Sequence, residues 1–297
     1  MTQKQLPAAA GFYAAIAAYA LWGIMPIYFH GLVGVPTLEI VAHRIIWSVF
    51  LLLGILLIRG RLGALWETLS SWRLIAPLMA SALLIAANWL LYIWAVQNGN
   101  ILAASLGYFL NPILNVLLGF AVLKERLSRA QWCAVALAGA GVVVLGLGAL
   151  STLWISIALA ITFGLYGLIR KMAQAGPMVG LTAETLVLLP IALFGMAMWG
   201  ANGQLAFGAM GAAIDGLLVS AGVITAVPLL LFAFAARRLR YATIGLIQYI
   251  GPTTQMLLGI YVYHEAPTLA HRIAFPLIWG ALALYSWSAL RQNRSGT

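Results

Sequence analysis

Acid-base chemistry has little to draw on in this chain of 297 residues, which holds six carboxylates and four histidines. Three of these groups, Glu39, His43 and Glu184, lie inside long apolar runs, together with the guanidinium of Arg44. A charge in hydrocarbon costs about 3 kcal/mol or more, so such groups usually face a cavity or a partner. Glu39 and His43 are four residues apart, on one face of a helix, and can pair locally. If a proton is carried, Glu184 is the first candidate and His43 the second, because imidazole titrates near neutral pH. Snorkelling to head groups is the plainer reading for Arg44 and fits the shorter Glu184 less well.

Uncharged groups extend the set. Trp22, Asn88, Trp89, Tyr108, Asn111, Asn115, Tyr166, Gln248, Tyr249 and Gln255 bring amide and aromatic character into apolar segments. An amide in hydrocarbon needs a partner, whereas Trp and Tyr also collect at membrane interfaces for no specific reason. Pro112 and Pro252 remove a backbone donor and should kink their helices, freeing the carbonyls of Tyr108 and Gln248. Interrupted helices at matched places near the bilayer midplane commonly form transporter sites, although membrane helices also tolerate proline as mere shape. Glu125 and Glu265 fall at helix ends, where the simplest role is to accept the first amides of the following helix, and Asp215 sits in the first turn of its own helix, near the positive end.

Other chemistry is excluded. None of the lysines Lys4, Lys124 and Lys171 follows a G-x-x-x-x-G pattern, so no phosphate loop for an ATP-driven pump is present. No His, Cys or carboxylate cluster has metal-ligand spacing, and no catalytic residue or cofactor is expected. The lone Cys133 forbids an internal disulfide framework.

The elements that position these residues follow from composition. With 64% hydrophobic and 7% charged residues, against about 25% charged in soluble domains, the chain belongs in a bilayer. Lipid is therefore one partner, and the aromatic and amide groups inside the spans would suit a small-molecule solute as another. Runs of about 20 apolar residues suit helices that cross about 30 Å of hydrocarbon. Continuous stretches such as LLLGILLI (51–58) contradict the alternation of a β-barrel. Spans are expected near 11–29, 37–58, 74–96, 101–123, 130–148, 152–169, 179–199, 213–236, 241–263 and 272–290, the first as a retained helix rather than a removed signal. The fold class is all-α and polytopic.

SLGYFLNPILNVLLGFAVLKE (105–125) returns 140 residues later as GLIQYIGPTTQMLLGIYVYHE (245–265), with Pro112 matching Pro252 and Glu125 matching Glu265. This is an internal duplication, dividing the chain into repeats 1–148 and 149–297. Five spans per repeat would invert the second copy, so basic residues should change sides between copies. Arg59, Arg61 and Arg73 indeed match Trp199, Ala201 and Ala213, whereas Gln97, Asn98 and Asn100 match Arg237, Arg238 and Arg240. All 16 Lys and Arg fall on one side except Arg44, inside a span, and Arg272. Both termini are then cytoplasmic, and the +10 charge reports topology rather than nucleic acid. Arg44 and Glu184 are also matched; entering from opposite faces, they should not touch but could guard the two mouths of one path. Ala134, Ala138 and Gly141 suggest tight helix packing.

The segments WGIMPIYF from Trp22, Glu39 with His43-Arg44 and Trp47-Ser48, NWLLYIWAV from Asn88, SLGYFLNP from Ser105, YGLIRK from Tyr166 and RLRYATIGLIQYIGPT from Arg238 carry a resemblance. The chain resembles the EamA family of the drug/metabolite transporter superfamily over its whole length. That resemblance implies ten helices as two inverted five-helix repeats in a bacterial inner (plasma) membrane, forming a permease that exports small molecules. It departs from the family where Ala103 replaces a common acidic residue and where Lys124-Glu125 replaces Gly-Glu. The expected mechanism is alternating access through a central cavity, driven, if uphill, by protons or another cation. An intramembrane enzyme acting on lipid-linked substrates through His43 and Glu39 is the alternative from another class, and a passive channel is a third.

Overall fold

Backbone groups in hydrocarbon must be satisfied within the chain, which makes helices the natural outcome for such apolar runs. The structure, a computed structural model, describes residues 8–122, 124, 127–148, 150–236 and 247–295. Regular structure among them is helical: α1 (Ala8–Gly23), α2 (Met25–His30), α3 (Thr37–Ile58), α4 (Leu62–Ser70), α5 (Trp72–Gln97), α6 (Ile101–Ala121), α7 (Arg129–Gly148), α8 (Leu150–Met172), α9 (Pro177–Ala201), α10 (Ala212–Ala236), α11 (Ile250–Tyr261) and α12 (Leu269–Ser295).

Eight stretches of the described residues are long and apolar enough to cross a membrane, α1 and α2 counting as one. They correspond to the first eight spans expected from sequence. The ninth, expected at 241–263, is described only from residue 247, and its helical part is the short α11. The tenth is α12, apolar over Leu269–Tyr285. The short α4 was not anticipated. It buries Leu65 and Thr68 and exposes Trp66, a three-to-four-residue rhythm too brief to stand out beside spans of 20.

The chain divides into two compact units, and neither is a sequence half. One comprises Met1–Pro26, Asn98–Gly164 and Phe234–Thr297; the other comprises Ile27–Gln97 and Leu165–Ala233. In the first, α7 packs on α12 by bringing Ala134, Ala138 and Leu145 against Ala270, Ala274, Ile278 and Ala281. Small side chains at this spacing let two backbones approach, which dispersion rewards in a medium as apolar as the side chains themselves. In the second, α3, α5 and α9 pack around Leu56, Leu78, Val179 and Ala183, with Leu65 of α4 closing the cluster. There α10 also comes close to α3: a Cβ on Gly222 would lie 2.6 Å from the Trp47 carbonyl oxygen.

Among the described residues, the non-glycine positions at positive φ are Lys124 (57°) and His264 (54°), one repeat length apart. Each follows a matched helix, α6 or α11. A left-handed residue ends a helix by turning the chain back, and side chains other than glycine pay about 1 kcal/mol or more there. Lys124→Gly and His264→Gly should therefore each raise stability by about 1 kcal/mol, read as a higher melting temperature in detergent.

Candidate functional site

The residues singled out by sequence divide between the two units. Arg44, Asn88, Trp89, Tyr166, Glu184, Glu39 and His43 belong to the second; Trp22, Tyr108, Asn111, Pro112, Gln248, Tyr249 and Pro252 belong to the first.

In the second unit, Arg44 on α3 is 6% exposed. Its Nε donates to Thr225 Oγ1 of α10 at 3.0 Å. Its guanidinium carbon lies 4.4 Å from the Trp89 ring centre and 5.3 Å from that of Phe29. Aromatic faces favour a desolvated cation. The side chain is thus directed inward and does not snorkel. Asn88, beside Trp89 on α5, is buried.

Glu184, 1% exposed on α9, accepts a hydrogen bond from Ser81 Oγ of α5 at 2.5 Å. Arg170 of α8 places Nε 3.6 Å from the same oxygen, Oε1. Tyr166, one turn before Arg170, brings its hydroxyl to both charged groups. The matched residues Arg44 and Glu184 therefore have different local partners, a cation on aromatic rings and an anion paired with Arg170. Sequence reading treated Arg170 as a topological charge. The available signal was its four-residue spacing from Tyr166, which puts both on one helical face.

Glu39 and His43 form a separate cluster. Both Glu39 oxygens accept backbone amides, Oε2 from Ala206 at 2.9 Å and Oε1 from Phe207 at 2.8 Å. His43 Nδ1 accepts the Trp47 indole N–H at 3.0 Å, so the proton of the neutral ring sits on Nε2, 4.0 Å from Glu39 Oε1. The ring rests against Phe207, with centroids 4.9 Å apart. Nearby, Asp215 sits in the first turn of α10 and accepts the Gly208 amide at 2.8 Å, steadying the loop ahead of the helix. The local pairing of Glu39 with His43 exists, but the carboxylate's main partners are the amides of the loop 202–211.

In the first unit, α1 stops at Gly23 and Pro26 lies in α2. A proline at 26 cannot donate to the Trp22 carbonyl four residues back. Gln255 Nε2 of α11 supplies that missing donor at 3.0 Å. The Gln255 Oε1 and Asn111 Oδ1 atoms are buried and have no hydrogen-bond partner among the described residues. Asn115 is exposed on α6. Tyr108 meets the Phe163 ring edge-on, and Tyr249 stacks on Phe109 with centroids 6.4 Å apart.

Two expectations need correction here. Pro252 does not kink a continuous helix: the chain turns at Gln248–Tyr249 and Pro252 sits in the first turn of α11, where the missing donor costs nothing. The Gln248 carbonyl is not left free either, because Gly251 N–H donates to it at 3.2 Å. The backbone of α6 is helical on both sides of Pro112, whose side chain lies outside the described residues. Glu265 does accept helix-initial amides, but from Ile101 and Leu102 of the earlier α6, at 2.6 and 2.8 Å, and not from the following helix. Burial raises its carboxyl above the ordinary value, with those two amides pulling the other way. Glu125 lies outside the described residues.

Comparison with known proteins fits this membrane architecture. Residues 9–147 match the model of the EamA-like transporter family. An uncharacterized transporter of Pseudomonas aeruginosa is 44% identical over 96% of this chain and 95% of its own. Protein RarD of Escherichia coli is 41% identical over 96% of both chains. The Bacillus subtilis uncharacterized transporter YojE is 42% identical over 95% of both. One crystal structure superposes with a TM-score of 0.64 at 19% identity, covering 96% of this chain and 99% of that one, a likeness of fold.

Replacing one Glu39 oxygen by a donor removes an acceptor from a buried amide, a loss of about 1–3 kcal/mol. Glu39→Gln should accordingly lower the melting temperature and speed hydrogen exchange at the Ala206 and Phe207 amides, with little change in exchange at α7 and α12.

Proposed function

The chain belongs to the EamA-like transporter family, and from that premise we propose that it is a secondary permease exporting a small drug-like or metabolite molecule by alternating access. The observation that carries this reading is the pair of charged side chains, Arg44 and Glu184, enclosed within apolar spans and directed to polar or aromatic partners. Charge retained inside a span at such cost commonly serves a solute or ion path. The proposed path residues are Trp22, Tyr108, Asn111, Gln248 and Tyr249 in one unit and Arg44, Asn88, Trp89, Tyr166 and Glu184 in the other.

The proposed frame has ten spans as two inverted five-helix repeats, 1–148 and 149–297, with both termini in the cytoplasm of a bacterium. The exchange of basic residues between matched positions supports it, as does the shared left-handed φ of Lys124 and His264. Alkaline phosphatase fused within the loop 202–211 should then be active, and fused at the C-terminus inactive.

Without a phosphate loop, uphill transport would draw on an ion gradient. Glu184 is the proposed proton carrier. His43 ranks second, since Trp47 occupies its acceptor nitrogen and Glu39 faces the other. The enzyme reading loses support because Glu39, its intended base, already accepts two amides.

Untargeted comparison of medium and cell extract, with and without the gene, tests the proposal. A small set of solutes should fall in the medium and rise inside when the gene is deleted. In proteoliposomes loaded with such a solute, Glu184→Gln should abolish the pH dependence of a saturable flux. Flux without saturation would indicate a channel, and a lipid product without solute movement an enzyme.

A further inference from the structure

We propose that Arg170, seated in a notch left by Gly180, is the releasable counter-ion of Glu184, so that a proton taken up by Glu184 frees the end of α8 from α9. This rests on the reading of Glu184 as a proton carrier and names the residues through which the proton acts.

The notch is visible in the backbone. Gly180 and Glu184 are one turn apart on α9 and share a face. A Cβ on Gly180 would collide with Arg170 Nη1 and crowd the rest of the guanidinium. Glycine leaves room for the guanidinium at this place, and a Cβ there would push it aside. From that seat Arg170 Nη2 donates to the Pro177 carbonyl at 3.3 Å, while Nε faces Glu184 at 3.6 Å.

The two charged groups touch directly at one point, with the Tyr166 hydroxyl beside both. Arginine and a carboxylate usually meet through two parallel hydrogen bonds. Here Arg170 Nη1 and Glu184 Oε2 are buried and lack hydrogen-bond partners among the described residues. A buried pair with unsatisfied atoms gains little over its desolvation cost, so a modest change can open it. The side chain of Arg170 is 15% exposed and that of Glu184 1%, so the arginine is the partner able to leave.

A proton suits the open oxygen better than a larger cation. Glu184 Oε2 has essentially no accessible surface, and a proton needs no cavity. The Ser81 and Tyr166 hydroxyls beside the carboxyl group can turn from donating to accepting once it is protonated. The groups facing Glu184 are Ser81 from α5 and Tyr166 and Arg170 from α8. Near it, α3 and α4 meet α9 through apolar side chains, Leu56 and Leu65 against Val179 and Ala183, and α10 meets it through Ala226 against Leu181. Proton uptake from water turns the carboxylate into a neutral acid and leaves the cluster with one net positive charge on Arg170. That charge is stabilised by moving toward water, and loss of the proton restores the pair.

Hydrogen exchange of the full-length protein in nanodiscs, followed between pH 5 and pH 8 and corrected for intrinsic rates, tests this. Protection of the amides of residues 165–176 should fall about five-fold on acidification, as loss of one ion pair implies. Glu184→Gln and Gly180→Ala should each show the low value at every pH. Gly167→Ala, where a Cβ meets nothing within 4 Å, should keep the fall in protection on acidification, with alanine's helix preference raising protection at both pH values alike. If Gly180→Ala does not fold, Arg170→Gln gives the same readout. Wild-type protection in Gly180→Ala and Arg170→Gln, with the pH profile of transport still dependent on Glu184, would overturn the latch alone. Unchanged exchange and unchanged transport profile in Glu184→Gln would overturn the reading beneath it as well.

Discussion

Hydrocarbon offers no hydrogen bonds, and the rest of this structure depends on how the chain meets that constraint wherever a helix stops. Inside a helix the backbone satisfies itself; at a break or an end it needs help from elsewhere. Three side chains give that help at helix ends and breaks, or steady a loop between spans, across long stretches of sequence. Gln255 donates to the carbonyl stranded by Pro26, Glu265 accepts the first amides of α6, and Glu39 holds the amides of Ala206 and Phe207. Each joins one sequence half to the other.

The same interleaving governs the charged residues. Ser81 reaches Glu184 and Arg44 reaches Thr225, again between residues of different halves and within one compact unit. The two sequence halves therefore do not fold as two separate bodies. Each unit takes segments from both halves, and the polar groups in it find partners that neither half contains alone. Positions 44 and 184, matched in the sequence, carry different chemistry: a guanidinium over Trp89 at one, a carboxylate against Arg170 at the other.

Not every polar residue in a span has a site role. Glu39 lies within an apolar run and pairs with a histidine, which at sequence level looks like acid-base chemistry. Its geometry is that of a fastener, with two amides on one carboxylate. Glu184 differs in kind, for it meets side chains instead of backbone and retains an oxygen without a partner. Removing an acceptor from backbone amides costs stability, whereas changing the charge of a loosely held pair changes conformation.

The sequence alone determined that this chain is a helical membrane protein, where eight of its spans lie, that Arg44 and Glu184 fall inside apolar spans and that Ala134 and Ala138 pack closely. Those properties follow from composition and from spacing along one helix, which are local. The sequence also pointed to Pro252 and Glu265, but their roles came out differently because the chain turns before the proline and the carboxylate reaches an earlier helix. Tertiary structure decided that Arg170 belongs to Glu184, that Gly180 makes room for it and that Gln255 completes the break at Trp22. Such partners lie on different helices, and which faces meet is set by the packing of the whole unit, a property no single stretch of sequence carries.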